Sequence, residues 1–137
     1  MDYARYVERF NQGDDAGLVD EFFTDDAVMH TAERLVDGKA ELRQFLAWAH
    51  DGVREMLRPQ HVAEADGQIL AEVDIDFFAL RDRVDFPFQP LKRGQTITAK
   101  FFVVYTLRGD KVCRLKTSRW PVGRATSPPP DYSALLG

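Results

Sequence analysis

Two long runs of alternating apolar and polar residues constrain the fold of this chain more than any other feature. In the segment 68–80 every second residue from Val73 to Phe77 is apolar, and acidic residues occupy the positions between them. The segment 95–107 alternates in the same way, and a glycine-containing turn leads from it into a further strand at 111–120. A period of two places successive side chains on opposite faces, so these runs predict an antiparallel sheet joined by hairpins.

The first half of the chain has the spacing of helices instead. Apolar residues three and four positions apart recur in three segments, which start at Tyr3, Leu18 and Leu42. This spacing places them on one face of a helix, so we predict three amphipathic helices. Asp14 or Asp15 can cap the second helix, because a short carboxylate side chain accepts the free backbone N–H groups of a first turn.

Turn and strand signals divide the rest of the chain. Thr24-Asp25-Asp26 is predicted to turn the chain after the second helix into a short strand at 27–31, because short polar side chains bond their own backbone in turns. Another short strand is predicted at 60–64. The pattern predicts one α+β domain at 1–122, followed by a proline-containing tail at 123–137 that we expect to be extended and mobile.

The composition limits the classes of function. Of 137 residues, 45% are hydrophobic and 29% are charged, which is typical of a globular domain, and the net charge of -4 argues against nucleic-acid binding. Cys113 is the only cysteine, which excludes an intramolecular disulfide. The histidines lack metal-ligand spacing, so we expect no metal and no cofactor. We expect no signal peptide and no membrane span, and therefore a cytoplasmic protein.

Four short segments carry a resemblance to a known family. They are Ala4-Arg5-Tyr6-Val7-Glu8, Gly13-Asp14, the aromatic and Asp-Asp run from Phe22 to Val28, and the glycine-headed start of the third helix from Asp37 to Leu42. On these segments the chain resembles the SnoaL-like and ketosteroid-isomerase-like branch of the nuclear-transport-factor-like superfamily. The resemblance is specific for fold and weak for activity, since this fold hosts isomerases, cyclases, dehydratases, hydrolases and non-catalytic modules.

The resemblance implies a cone-shaped, curved antiparallel (mixed) sheet wrapped around three N-terminal helices, cystatin-like in outline, with a ligand cavity inside. The alternation independently places the odd-numbered residues of the last two long strands toward this cavity: Phe101, Val103, Tyr105, Cys113, Leu115, Thr117 and Arg119. Even-numbered residues such as Lys100 then lie beside Asp74 and Asp76 on the outer face, as a salt-linked surface. Phe102, Val104 and Trp120 on that face predict a homodimer contact.

Two residues are candidates for acid–base chemistry. Tyr6 matches the oxyanion-hole tyrosine that the resemblance implies, where a neutral hydroxyl donates to a developing enolate oxygen; the alternative is that it only packs within the helix stripe. His30 has the side chain best suited to proton transfer at neutral pH, or it is a structural residue near a strand end. The family's general-base aspartate is replaced by Thr31, and its protonated aspartic acid by Val103, so steroid isomerisation by that route is not expected.

The other candidates are ligand-binding residues. We expect the cavity to be lined by Thr31, Trp48, Phe77, Phe101, Val103, Tyr105, Thr117 and Arg119. Only one of His30 and Thr31 faces inward if the strand is regular. Arg119 either binds a carboxylate or enolate oxygen inside the cavity, or it reaches water at the strand end. His50 is expected to be solvated and His61 to pack at the sheet edge.

The sequence therefore predicts a small-molecule-binding protein of the SnoaL-like type. The first hypothesis is a cofactor-independent isomerase, cyclase or dehydratase that moves a proton on an apolar, oxygenated ring compound. The second is a non-catalytic dimeric module of the same fold that binds a ligand or a protein. Tyr6 and His30 favour the enzyme, whereas the missing aspartates favour the binding module.

Overall fold

The structure, a computed structural model, describes residues 1–125 and 127–137 and confirms the α+β prediction: three helices pack against one curved, six-stranded mixed sheet that does not close. The helices are α1 (Tyr3–Asn11), α2 (Asp15–Phe22) and α3 (Lys39–Ala49). The strands are β1 (Phe23–His30), β2 (Leu35–Asp37), β3 (Val53–Ala65), β4 (Gln68–Ala79), β5 (Thr96–Arg108) and β6 (Lys111–Arg119). A 3-10 turn at Ser133–Leu136 follows.

The sheet joins the two halves of the chain. Its strand order is β2-β1-β6-β5-β4-β3, with β3 to β6 forming an antiparallel meander. The N-terminal hairpin of β1 and β2 adds to the far edge of β6, where β1 runs parallel to β6 and Met29 pairs with Leu115. The concave face of this sheet and the three helices enclose the apolar core.

Aspartate side chains cap the starts of α1 and α2, and the cap of α2 was predicted from the sequence. The Asp2 side chain accepts the backbone N–H of Arg5 at 3.2 Å in α1. In α2 the cap is Asp14 rather than Asp15, and its carboxylate accepts the N–H of Gly17 at 3.0 Å. Among the described residues, no helix has both the length and the apolar character needed to cross a membrane.

Three strand boundaries differ from the sequence prediction. The turn predicted at Thr24-Asp25-Asp26 is wrong, because these residues continue β1, which starts directly after α2 and is irregular between Phe23 and Val28. The three-residue β2 was not predicted. The strand predicted at 60–64 is the end of β3, which begins at Val53.

A bulge corrects the predicted orientation of Cys113. The pairing of β5 with β6 shifts register between Thr106 and Leu107, so Val112 takes the fully buried position on the inner face. Cys113 is displaced from that face, and its Sγ lies 3.4 Å from the backbone oxygen of Thr106. An extra residue on one strand reverses the side-chain parity beyond it, which the simple period of two does not anticipate.

The charged outer face is not the open surface that the sequence predicts, because the C-terminal tail lies across part of it. Asp74, Asp76 and Lys100 are all fully buried. The Ser127 backbone N–H donates to Asp74 at 3.1 Å, and the Tyr132 hydroxyl donates to Asp76. The tail is therefore held against the sheet by hydrogen bonds to buried acids, which explains why it does not extend away from the domain.

We call this assembly the tail-covered cluster; it consists of Arg58, Glu72, Asp74, Asp76 and Lys100 with Ser127 and Tyr132 of the tail. Arg58 binds Asp76 through two hydrogen bonds, from Nε at 2.7 Å and Nη2 at 2.9 Å. Lys100 lies 3.2 Å from Asp74 and also binds Glu72. Burial raises the pKa of Asp74, but hydrogen bonds from Ser127 and Lys100 outweigh it and bring the pKa below its ordinary value.

Candidate functional site

A largely apolar cavity of about 150 Å³ lies between the helices and the concave face of the sheet. Tyr6 and seven of the predicted ligand-binding residues line it: Thr31, Phe77, Phe101, Val103, Tyr105, Thr117 and Arg119. His30 and Trp48 are not among its lining residues. The alternation of β4, β5 and β6 therefore brings most of the predicted site together, although the roles of these residues stay predictions.

Tyr6 and Tyr105 line the cavity, and Tyr3 packs against both of them. The hydroxyls of Tyr3 and Tyr105 lie 3.2 Å apart, and the Tyr6 ring packs against the rings of both. Burial raises the pKa of Tyr6 above its ordinary value, and the negative charge of Glu55 raises it further. Burial also raises the pKa of Tyr105. These hydroxyls are therefore neutral hydrogen-bond donors across the physiological pH range.

The cavity also contains a carboxylate that sequence reasoning missed. Glu55, on β3, lines the cavity and is paired across the sheet with Phe77 of β4. Its Oε1 lies 3.0 Å from Nε2 of His50, and the Nδ1 of His50 lies 2.9 Å from both carboxylate oxygens of Asp15. We call these three residues the cavity triad.

The expectation that His50 is solvated is wrong. It follows the last turn of α3, its side chain is only 12% exposed, and Asp15 and Glu55 lie on either side of it. Burial alone would lower the pKa of His50, but the hydrogen bonds and charges of the two acids raise it to about 10. At neutral pH it is therefore an imidazolium that donates from both ring nitrogens.

A signal for Glu55 was present in the sequence. Val53, Glu55 and Leu57 alternate with Arg54 and Met56, as expected for a strand with one face inside. In the structure Val53 and Leu57 are buried and Glu55 shares their face. Extending the strand back to Val53 would have placed this carboxylate in the cavity. Its histidine partner comes from another element, so no local pattern predicts the pair.

The mouth of the cavity carries charged residues from two strand ends. Arg119, at the end of β6, lies 2.7 Å from Glu33 and places its guanidinium 4.3 Å from the centre of the Phe88 ring. Arg34 also lines the cavity, and its guanidinium lies 5.0 Å from the ring centres of Phe45 and Trp48. Arg119 thus lines the cavity and is partly exposed, and its binding of a ligand oxygen stays a prediction.

Thr31 stabilises the turn at the mouth of the cavity. Its Oγ1 accepts the backbone N–H groups of Glu33 at 3.2 Å and Arg34 at 3.0 Å, and donates to the Arg34 carbonyl. Its own N–H donates to that carbonyl at 2.9 Å. The hydroxyl is therefore engaged within the turn that joins β1 to β2, and it fixes the position of Glu33 and Arg34.

His30 lies on the other side of β1 from the cavity. Thr31 and Met29 line the cavity, and the strand alternation directs the intervening His30 away from it, next to Lys116 and Leu35 on neighbouring strands. Its Nε2 is buried, and no atom of the described chain bonds to it.

A loop narrows the cavity. The segment 81–94 links β4 to β5 and inserts Phe86 and Phe88 beside Phe77 and Phe101, with neighbouring ring centres 5.2 to 6.4 Å apart. Arg83 anchors the loop, because its Nη1 donates to the Asp51 carbonyl at 2.6 Å. Aromatic rings held this way fill much of the space that the cone would otherwise enclose.

No metal site emerges from the described side chains, since no group of three His, Cys, Asp or Glu residues is arranged to hold an ion. The site is an apolar pocket with a few convergent polar groups, which is the usual form of a small-molecule site. The fold and this pocket define the class: a cone-shaped α+β domain with a small-molecule cavity.

The family follows from a direct match. The model of the SnoaL-like domain matches residues 3–115, and the chain belongs to this family. This confirms the resemblance inferred from the sequence. No functionally curated protein is similar enough to count as a relative.

Solved structures of similar shape support the fold. A proposed polyketide cyclase from Xanthomonas campestris pv. campestris is 23% identical, with 82% of each chain covered and a TM-score of 0.69. Another, from Silicibacter sp., is 21% identical, with a TM-score of 0.71 and coverage of 86% of this chain and 85% of that one. SalBIII, described as an epoxide hydrolase/cyclase-like enzyme in pyran ring formation in the polyether salinomycin, is 17% identical over 88% and 91%, with a TM-score of 0.68.

Proposed function

We propose that the protein is an enzyme that catalyses cofactor-independent proton transfer on an apolar, oxygenated ring compound, as an isomerase, cyclase or dehydratase. The observation that carries the proposal is the coexistence, in one largely apolar cavity, of a carboxylate on Glu55 and a buried neutral hydroxyl on Tyr6. A base and an oxyanion donor are the two groups that proton abstraction next to a carbonyl requires.

The roles follow from the hydrogen bonding. The Glu55 carboxylate would take a proton from a ring carbon adjacent to a carbonyl, and the C–H electron pair would move to the carbonyl oxygen as an enolate. The Tyr6 hydroxyl would donate to that oxygen, with Tyr105 packed behind it. Return of the proton from Glu55 to another carbon of the substrate completes an isomerisation. In a cyclisation the enolate carbon attacks a second carbonyl, and Glu55 returns its proton to the alkoxide that forms.

His50 and Asp15 prepare Glu55 for this role. His50 holds only Oε1 of Glu55, and within the described chain Oε2 has no hydrogen-bond partner. The second oxygen is thus left to accept a proton, while the imidazolium fixes the rotamer of the carboxylate. A group held by its neighbours loses little entropy on reaching the reactive geometry.

Glu55 replaces His30 as the favoured base because His30 is not among the cavity-lining residues. Two variants separate these roles. Glu55→Gln keeps the shape of the side chain and should lower turnover by about 100-fold or more, whereas His30→Gln should leave it within about twofold. If His30→Gln lowered turnover and Glu55→Gln did not, His30 would be the base, as predicted from the sequence.

The assay follows hydrogen–deuterium exchange at acidic ring carbons by NMR, with cyclic ketones and β-diketones in D₂O. Glu64→Gln, an exposed residue on the same strand, is the matched control and should exchange at the wild-type rate. Tyr6→Phe should slow exchange by roughly 10- to 100-fold through loss of one oxyanion donor. Ligands that bind the wild-type protein without accelerated exchange would instead establish the non-catalytic binding module.

A further inference from the structure

We propose that the natural ligand is a single-ring carboxylate, with its ring in the cavity and its carboxylate at the mouth on Arg34 and Arg119. This inference rests on the proposed function only for the reaction that follows binding. It specifies the substrate class, because it sets both the size and the charge of the molecule.

The size limit comes from the volume and its aromatic lining. A cavity of about 150 Å³ is comparable to engineered protein cavities that hold one benzene molecule. Sites for drug-sized or multi-ring ligands have roughly 300–1,000 Å³. Phe86 and Phe88 of the 81–94 loop occupy the additional space, since both line the cavity and contact the ring of Phe77. The cavity accommodates one ring and excludes a fused ring system.

The charge preference comes from the mouth. Arg34, Arg119 and Glu33 are the charged residues there, so the mouth carries one more positive than negative charge. Glu33 neutralises Arg119 at 2.7 Å. Arg34 has no carboxylate partner within residues 1–125 and 127–137, and it is held instead against the faces of two aromatic rings. A guanidinium fixed in this way is suited to planar, bidentate binding of a carboxylate.

The turn makes this arrangement rigid before any ligand arrives. Thr31 binds the backbone of both Glu33 and Arg34, so the backbone carrying the two charged side chains is fixed. Preorganised groups lose less freedom on binding and bind more tightly for the same contacts.

The interior of the cavity sets the orientation. Glu55, which lines the cavity, would repel a ligand carboxylate, and the cation beside it, His50, already binds two acids. The ligand therefore enters with its apolar ring inward and its carboxylate outward. This orientation brings the ring carbons toward Glu55 and Tyr6, where the proposed chemistry takes place.

Binding is tested by ligand-observed NMR titration with three probes: phenylacetate, its methyl ester and 2-naphthylacetate. Phenylacetate should bind about tenfold more tightly than the ester, the ratio expected for one hydrogen-bonded charge. It should also bind more tightly than 2-naphthylacetate. An ester that binds as well as the acid would overturn the charge assignment, and a naphthyl probe that binds equally well would overturn the size limit.

Charge variants at the mouth should shift affinity in opposite directions. Arg34→Gln should abolish the preference for the acid, whereas Glu33→Gln should free Arg119 and tighten phenylacetate binding by about threefold or more. Arg114→Gln, an exposed change of the same kind on the outer face, should change neither. If Arg34→Gln and Glu33→Gln weaken binding equally, the charged residues at the mouth have only a structural role. Binding of the ligand carboxylate by Arg34 and Arg119 would then be excluded.

Phe88→Ala tests the loop separately. Removing this ring should improve the affinity for 2-naphthylacetate relative to phenylacetate by at least about fivefold, because it opens space next to the single-ring site. An unchanged affinity ratio would contradict the size limit.

Glu55→Gln separates this inference from the proposed function, because it should keep the acid preference while losing exchange activity. Carboxylate binding by the wild-type protein without any exchange activity would refute the proposed function alone. Exchange on neutral ketones without any acid preference would refute the ligand class alone.

Discussion

The cavity triad and the tail-covered cluster lie on opposite faces of the same sheet, and both bury ionised groups. In the tail-covered cluster, Asp76 accepts hydrogen bonds from Arg58, Thr98 and Tyr132, so its oxygens are fully engaged. In the cavity triad, Oε2 of Glu55 has no partner among the described residues. A buried charge alone therefore does not identify a reactive group. A better indicator is a charged group that lines a cavity and has an oxygen without a hydrogen-bond partner.

The largest expected effect is on the free energy of unfolding, and it tests whether the tail-covered cluster stabilises the fold. Asp76→Asn leaves the partly exposed guanidinium of Arg58 against a neutral partner, and breaking a pair whose carboxylate is fully buried should lower the free energy of unfolding by about 3–5 kcal/mol. Urea denaturation measures it, with Asp110→Asn as the control, since that carboxylate is 99% exposed. The folded fraction should keep wild-type ligand affinity. A loss below about 1 kcal/mol would mean that the cluster is dispensable.

The second prediction concerns the pH dependence of the cavity triad. The folded-state pKa of His50 is raised to about 10 from an ordinary value of 6.5, so its contribution to stability is complete below pH 6.5 and is lost as the pH rises through 10. The free energy of unfolding should therefore fall between pH 7 and pH 10, by about 2–4 kcal/mol. His50→Gln should be less stable at pH 7 and should flatten this decline. An equal slope in both proteins would assign the decline to other groups.

A smaller effect is expected from the tail. Tyr132→Phe removes the hydroxyl that donates to Asp76, but Arg58 and Thr98 still bind that acid. We expect a loss of about 1–2 kcal/mol, at the low end for a hydrogen bond to a charged group because Tyr132 is partly exposed. Limited proteolysis should cleave this variant faster within 127–137 than the wild type. Unchanged cleavage would show that the tail is held by other contacts.

The smallest effect on monomer stability should come from the uncovered part of the outer face. Phe102 and Trp120 are 39% and 45% exposed there, and their ring centres are 5.4 Å apart. We propose that this patch, with Val104, forms the predicted homodimer contact. Phe102→Glu should change the free energy of unfolding of the monomer by about 0.5 kcal/mol or less and convert dimer to monomer in sedimentation. A wild-type protein that sediments as a monomer at micromolar concentration would refute the dimer.

The parts of the fold that the sequence predicts are those with local causes. The starts of α1 and α2 depend on Asp2 and Asp14, which lie three residues before the amides they cap. The inner residues of β4 and β5 follow from alternation alone. By contrast, β1 begins at Phe23 because the strand pairs with β6, where Phe23 lies opposite the sequence-distant Val112, and that partner overrides the local turn propensity of the Asp-Asp pair.

The residues of the candidate site also divide into those that neighbours in sequence predict and those that depend on distant partners. Val103 and Tyr105 were placed in the cavity by parity, which needs only neighbours in sequence. The role of His50 was missed because it depends on Asp15 and Glu55, which α2 and β3 bring to it. The buried state of Asp76 was missed because the residue that covers it, Tyr132, lies in the tail. Contacts between elements that are distant in sequence determine whether a charged side chain is exposed to water, forms an ion pair or faces a cavity.

The parallel pairing of β1 with β6 also has a consequence during synthesis on the ribosome. Met29 emerges long before Leu115, its partner, exists. At about 5–20 residues per second, β1 waits roughly 4 to 17 seconds for that strand. The meander from β3 to β6 contains only sequential hairpins and can form as it emerges. We therefore expect β1 to stay without its final partner until β6 has been synthesised, as a part of the nascent chain that chaperones bind.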